Sequence, residues 1–141
     1  KKAQPGLFES LVHIPLIIRH PEGLGAGKRF DALVETTEIF PTITDFLKLK
    51  QPPRLHGKSL LPIMAGETDK IRDYAYCGHF KRNWRVSNHE WSFVLNFDKG
   101  KENELYNLKA DPGEKENLIT KETQKAMELE LELRRFVAEL R

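Results

Sequence analysis

The chain has a single cysteine, Cys77, among its 141 residues, so no internal disulfide can form and no cysteine-rich zinc site can be assembled. One thiol does not fix the redox compartment. No apolar run approaches the about 20 residues needed to cross a bilayer as a helix, and no signal-like segment opens the chain. Neither sign of charge dominates: 23 Lys and Arg stand against 21 Asp and Glu, a net charge of +2. Mixed signs without a basic stripe argue against a dedicated nucleic-acid binder. Internal repeats and low-complexity tracts are absent too. What is present is the composition of a chain that folds around a core, 39% hydrophobic and 31% charged, with enough length for one modest domain. The chain opens on Lys1, not Met, and passes almost at once into core-like residues. We read it as a piece of something longer.

His13–Arg19 is a short apolar run with β-branched isoleucines, which suits a strand buried on both faces of a parallel sheet. The loop Pro21–Gly27 is glycine-rich, but it lacks the strand and helix context of a phosphate-binding loop and reads as a surface turn. A helix is expected over Thr36–Leu47. Thr36 or Thr37 can cap it, Glu38 suits the positive end of its dipole, and Pro41 falls near the first turn. Ile39, Ile43, Phe46 and Leu47 would share its apolar face. Pro52 and Pro53 stop the helix, and Gly66 ends the next apolar element.

From Tyr74 the pattern changes to strands: Tyr74–Phe80, Trp84–Val86, Trp91–Phe97 and Glu104–Leu108. Lys99, Gly100 and Lys101 make a hairpin loop between the last two. Spacing this short favours antiparallel pairing. Thr120–Arg141 reads as a helix whose stripe is Ala126, Leu129, Leu133, Phe136, Val137 and Leu140, with Glu130 and Arg134 as an i,i+4 ion pair. The charged run Glu128–Arg135 is then its solvated face. The expected fold class is α+β in this chain, a small antiparallel sheet packed against a C-terminal helix and preceded by one strand and helix of α/β character.

The most informative stretch runs from Glu104 to Ile119. Leu105 and Tyr106 have strand character, Asp111-Pro112-Gly113 is turn chemistry, and Glu114, Asn117 and Leu118 follow. It closely resembles the "LYDL..DP.E..NL" signature of type I sulfatases, in the alkaline phosphatase superfamily. Three other segments fall in that family's order. Lys2–Glu9 with His13–Arg19 resembles "K.....(Y/F)E....(V/I)P.II..P". Glu35–Leu47 resembles the "v...DifPTlldl.G" helix, and His56–Pro62 resembles the "(H/D)G.SL.P" turn. The resemblance covers nearly the whole chain and identifies it as similar to the C-terminal portion of a sulfatase. It implies that residues 1–66 end the sulfatase-like α/β domain and that 67–141 form a C-terminal subdomain.

The resemblance also implies what this chain lacks. Such sulfatases carry a Cys/Ser-x-Pro-x-Arg motif whose first residue becomes formylglycine, and a divalent-metal (calcium) site of Asp and Asn ligands. Cys77 has neither Pro nor Arg at that spacing and reads as a structural cysteine. Asp31, Asp45 and Asp69 show no ligand pattern, and His13, His20, His56 and His89 lack metal spacing. Both centres are therefore expected upstream, with the missing N-terminal sulfatase portion as partner. By the same resemblance Lys2, with Lys1 as the adjacent alternative, would contact the sulfate oxygens as the catalytic lysine, against the plain reading of a solvated terminal lysine. His79 and Arg82, within a basic cluster that also holds Lys81, Trp84 and Arg85, would bind an anionic ester. An ordinary charged hairpin looks the same. The implied activity is hydrolysis of small-molecule or sugar sulfate esters by the complete enzyme, this chain alone being inactive. The alternatives are a phosphate or phosphonate ester hydrolase of the same superfamily and a non-catalytic binding module.

Overall fold

The computed structural model describes residues 6–79 and 82–140. The chain divides into two units, one made of Lys1–Pro15 with Tyr76–Arg141 and the other of Leu16–Ala75.

The first unit is built on a four-stranded sheet in sequential order, β1 (Ala75–His79), β2 (Asn83–Ser87), β3 (Trp91–Asn96) and β4 (Glu104–Asn107). β2 and β3 pair antiparallel with Val86 opposite Phe93 and Arg85 opposite Val94. β3 and β4 do the same, with Phe93 opposite Leu105 and Ser92 opposite Tyr106. Residues opposite one another share a face, and neighbours along a strand alternate. One face thus carries Trp84, Val86, Phe93, Leu95 and Leu105. The final helix α1′, hereafter the C-terminal helix (Thr123–Glu139), packs on β2 and β3. Phe136 meets the Trp84 ring edge-on at 6.2 Å and stacks on Tyr76 at 3.8 Å. Tyr76 also donates its hydroxyl to Glu132 at 2.8 Å. Gly78 makes room for this packing, since a Cβ there would lie 2.5 Å from the Trp84 ring.

The helix stripe is as the periodicity predicts at its centre: Ala126, Leu129 and Leu133 are buried, while Leu140 at the end is exposed. The Glu130–Arg134 pair forms at 2.6 Å on the solvent side. The opposite sheet face carries Asn83, Arg85, Ser92, Val94 and Tyr106, all buried. The segment that begins at Gly6 and includes a short helix (Glu9–Val12) covers it, with Phe8 tilted against Tyr106 at 6.4 Å.

The second unit holds a 3-10 turn (Thr36–Glu38), an α-helix (Ile39–Phe46) and a short α-helix (Leu61–Ala65). The short helix ends at Gly66, whose φ of 80° supplies the left-handed cap. Two expectations are corrected here. His13–Arg19 forms no strand, and Ile17 is 91% exposed. A strand requires a neighbouring backbone to complete its ladder, and none lies alongside among the described residues. The helix is not seated by its apolar face either: Ile39, Ile43, Phe46 and Leu47 are exposed, while Pro41, Thr42 and Thr44 are buried. The threonines can be buried because their hydroxyls bond backbone carbonyls, Thr42 to Glu38 at 2.6 Å and Thr44 to Phe40 at 3.1 Å.

Leu133 is fully buried between helix and sheet. Leu133→Ala is expected to lower the unfolding free energy by about 2–5 kcal/mol, measured by urea denaturation. A change within error would mean that the helix is not part of the core.

Candidate functional site

On the sheet face away from the C-terminal helix, Arg85 projects from the middle of β2 and is fully buried. A guanidinium cannot be left unpaired in such a place, because its desolvation penalty amounts to several kcal/mol. Three groups answer it. The Leu7 carbonyl accepts from Nη1 at 2.6 Å, Glu9 Oε2 accepts from Nη2 at 2.5 Å, and Glu114 Oε1 lies 3.5 Å from Nη2. Glu114 turns its other oxygen to the Glu9 backbone N–H, at 2.5 Å. His13, one helical turn on, places Nδ1 2.8 Å from Glu9 Oε1 at the solvent edge. Arg85 Nε and Glu114 Oε1 remain buried without a hydrogen-bond partner. An open depression of about 410 Å³ adjoins this cluster, lined by Glu9, Ser10, His13, Pro15 and Pro112.

The turn that delivers Glu114 is fixed by its own side chains. Asn107 Oδ1 accepts from the N–H groups of Lys109 and Ala110 at 3.1 and 2.9 Å. Asp111 Oδ2 accepts from those of Lys115 and Glu116 at 2.6 and 2.8 Å. Between them Glu114 takes a left-handed backbone, φ 50°, which swings its carboxylate inward. Asn117 then closes the free edge of β4, accepting from Leu105 N–H at 2.9 Å and donating to the Asn103 carbonyl at 3.1 Å. Tyr106, buried beside Glu104, donates to it at 3.0 Å, and burial followed by the Glu104 charge pushes its phenol well above the usual range.

In the second unit Glu35 and Glu38 form a reciprocal capping box, so the cap is Glu35 and not Thr36 or Thr37. Glu38, expected to serve the helix dipole, is fully buried and paired with Arg72, which also holds Glu35 at 2.6 Å. Leu60 N–H reaches the Thr42 hydroxyl at 2.9 Å, tying the His56–Pro62 turn to the helix. Gly57 permits that approach: a Cβ there would sit 2.0 Å from the Thr37 carbonyl oxygen.

Of the residues expected to act on substrate, Lys2 lies outside the described residues. His79 ends β1, and its side chain is likewise outside them. Arg82 is exposed just before β2, its carbonyl accepting from Phe97 N–H at 2.8 Å. Arg85, grouped with them by sequence, is separated from that surface by burial. Alternation along β2 is the signal that marks it, since Arg85 falls between Trp84 and Val86 and must point to the other face. Cys77 is half-buried on β1. Among the described residues no three His, Cys, Asp or Glu side chains converge on a cation position, so the calcium and formylglycine implied by the resemblance find no ligand set there.

The family described as N-sulphoglucosamine sulphohydrolase, C-terminal, matches residues 5–141. The chain belongs to that family. Among its relatives, an N-acetylglucosamine-6-O-sulfatase of Bacteroides thetaiotaomicron is 26% identical over 82% of this chain and 23% of its own length. An arylsulfatase of Clostridium perfringens is 31% identical over 84% of this chain and 26% of its own. A solved structure in complex with its substrate D-glucosamine-2-N,6-O-disulfate superposes with a TM-score of 0.61 at 26% identity, covering 70% of this chain and 23% of that one. The phosphonate monoester hydrolase of Agrobacterium radiobacter shares the fold, with a TM-score of 0.64 at 22% identity over 83% of this chain and 27% of its own. The chain thus spans about a quarter of the length of these relatives. The α+β sheet-and-helix architecture is that of the sulfatase C-terminal region.

The Arg85 cluster yields a direct test. Glu114→Ala leaves the buried guanidinium short of a counter-charge and the Glu9 N–H without an acceptor, and is expected to cost about 3–5 kcal/mol of stability. Chemical denaturation measures it; a loss under about 0.5 kcal/mol, the usual range for an exposed site, would mean the cluster is open to water.

Proposed function

We propose that this chain is the C-terminal part of an enzyme that hydrolyses sulfate esters of sugars. The observation that carries the reading is the family match over residues 5–141, joined to relatives whose printed activities concern sulfated glucosamine. In this reading residues 1–66 belong to the end of the large α/β domain and 67–141 to the C-terminal subdomain. The exposed apolar residues Ile14, Leu16, Ile17 and Ile18, and those along Ile39–Phe46, support an upstream portion that covers them. That portion would bring the formylglycine nucleophile and the calcium ligands. Lys2 would stabilise the negative charge on the non-bridging oxygens of the transferring sulfuryl group, and His79 and Arg82 would meet the anionic ester at the rim. A phosphonate ester hydrolase is the second reading, favoured only by the shared fold.

Two outcomes are expected. The 141-residue chain alone should show no turnover of an aryl sulfate and no tight calcium binding by calorimetry; chelator-sensitive turnover would overturn the reading of this chain as a part. In the enzyme with its upstream portion, assayed on sulfate and phosphonate esters in parallel, sulfate esters should be preferred. There Lys2→Ala should lower kcat by roughly 10²–10³, with Lys1→Ala nearly neutral, while His79→Ala or Arg82→Ala should raise KM more than it lowers kcat. Full activity of Lys2→Ala would remove the lysine's role.

A further inference from the structure

The Arg85 cluster grips three successive points of one strand of chain: the Leu7 carbonyl, the Glu9 N–H and the Glu9 carboxylate. Apolar side chains of similar volume would hold a sheet and a covering segment together at least as firmly, because a buried ion pair seldom adds net stability over well-packed hydrophobic residues. What a guanidinium with fixed hydrogen-bond directions adds is register and orientation. The gripped segment is also the one that follows Lys2. Five positions separate Lys2 from Leu7, so the chain between them reaches at most about 17 Å when fully extended. Wherever Leu7 is pinned decides where that lysine can act.

We propose that Arg85, with Glu114, is a positioning residue for the sulfuryl-transfer reaction. It touches neither substrate nor reacting atoms. It acts through Leu7 and Glu9, holding the start of the Lys2 segment in one place so that the ammonium meets the transferring group preorganised. This rests on the role given to Lys2 above.

The test is a double-mutant cycle in the enzyme with its upstream portion. Arg85→Lys keeps the charge but cannot span the three acceptors with one planar fork. It is expected to lower kcat roughly 10- to 100-fold, the scale of a small misplacement of a reacting group, with KM within about twofold. Adding Lys2→Ala to Arg85→Lys should then cost less than about tenfold more, because a lysine already misplaced has little left to lose. If Lys2→Ala keeps its full effect in the Arg85→Lys background, the cluster is purely structural and the proposal is overturned. If Arg85→Lys does not fold, Glu114→Gln, which keeps size and an acceptor but removes the charge, goes through the same cycle with the same two readings. A fully active Lys2→Ala single variant would instead sink the lysine's role itself, and that failure is visible before the cycle is closed.

Discussion

A single buried guanidinium organises the first unit. Arg85 sits where the alternation of β2 requires an inward side chain, on the face opposite the C-terminal helix. Once it is there, the rest follows from the cost of leaving it unpaired. The amino-terminal segment must lie across that face to bring Leu7 and Glu9, and the turn after β4 must bend inward to bring Glu114. The sheet is therefore covered on both sides by different means. Aromatic and aliphatic packing secures the helix side, and a charged hydrogen-bonded cluster secures the other.

That arrangement gives physical content to the sequence signature. Leu105 and Tyr106 are core, Asn107 and Asp111 hold the turn, Glu114 reaches into the cluster, and Asn117 caps the open edge of β4. Each position is occupied for a hydrogen-bonding or packing reason local to this unit. The second unit repeats the logic on a smaller scale: buried Glu38 is answered by Arg72, and the glycine of the His56–Pro62 turn lets two backbones meet.

What could be read from sequence was what periodicity encodes. The four strands, the hairpin at Gly100 and the buried stripe Ala126, Leu129 and Leu133 all rest on spacing, and spacing survives in a single chain. What could not be read depends on partners distant in sequence. Arg85 and Glu114 are 29 positions apart and Arg85 and Glu9 are 76 apart, so a basic residue in a basic stretch looked like surface until the register put it inside. His13–Arg19 and Ile39–Leu47 failed for the opposite reason. Their apolar character is real, but nothing among the described residues covers it.

Position 114 carries a narrow set of requirements. Its φ of 50° suits glycine or asparagine and costs another residue about 1–2 kcal/mol. Its side chain must also span the distance to Arg85 and the Glu9 N–H with an anionic end. Glycine satisfies the backbone and offers no carboxylate; aspartate offers the charge one methylene short; glutamine has the reach without the charge. The chain accepts local backbone strain at one residue to seat a charge that the whole sheet face is built around, and tolerance to substitution there is correspondingly small.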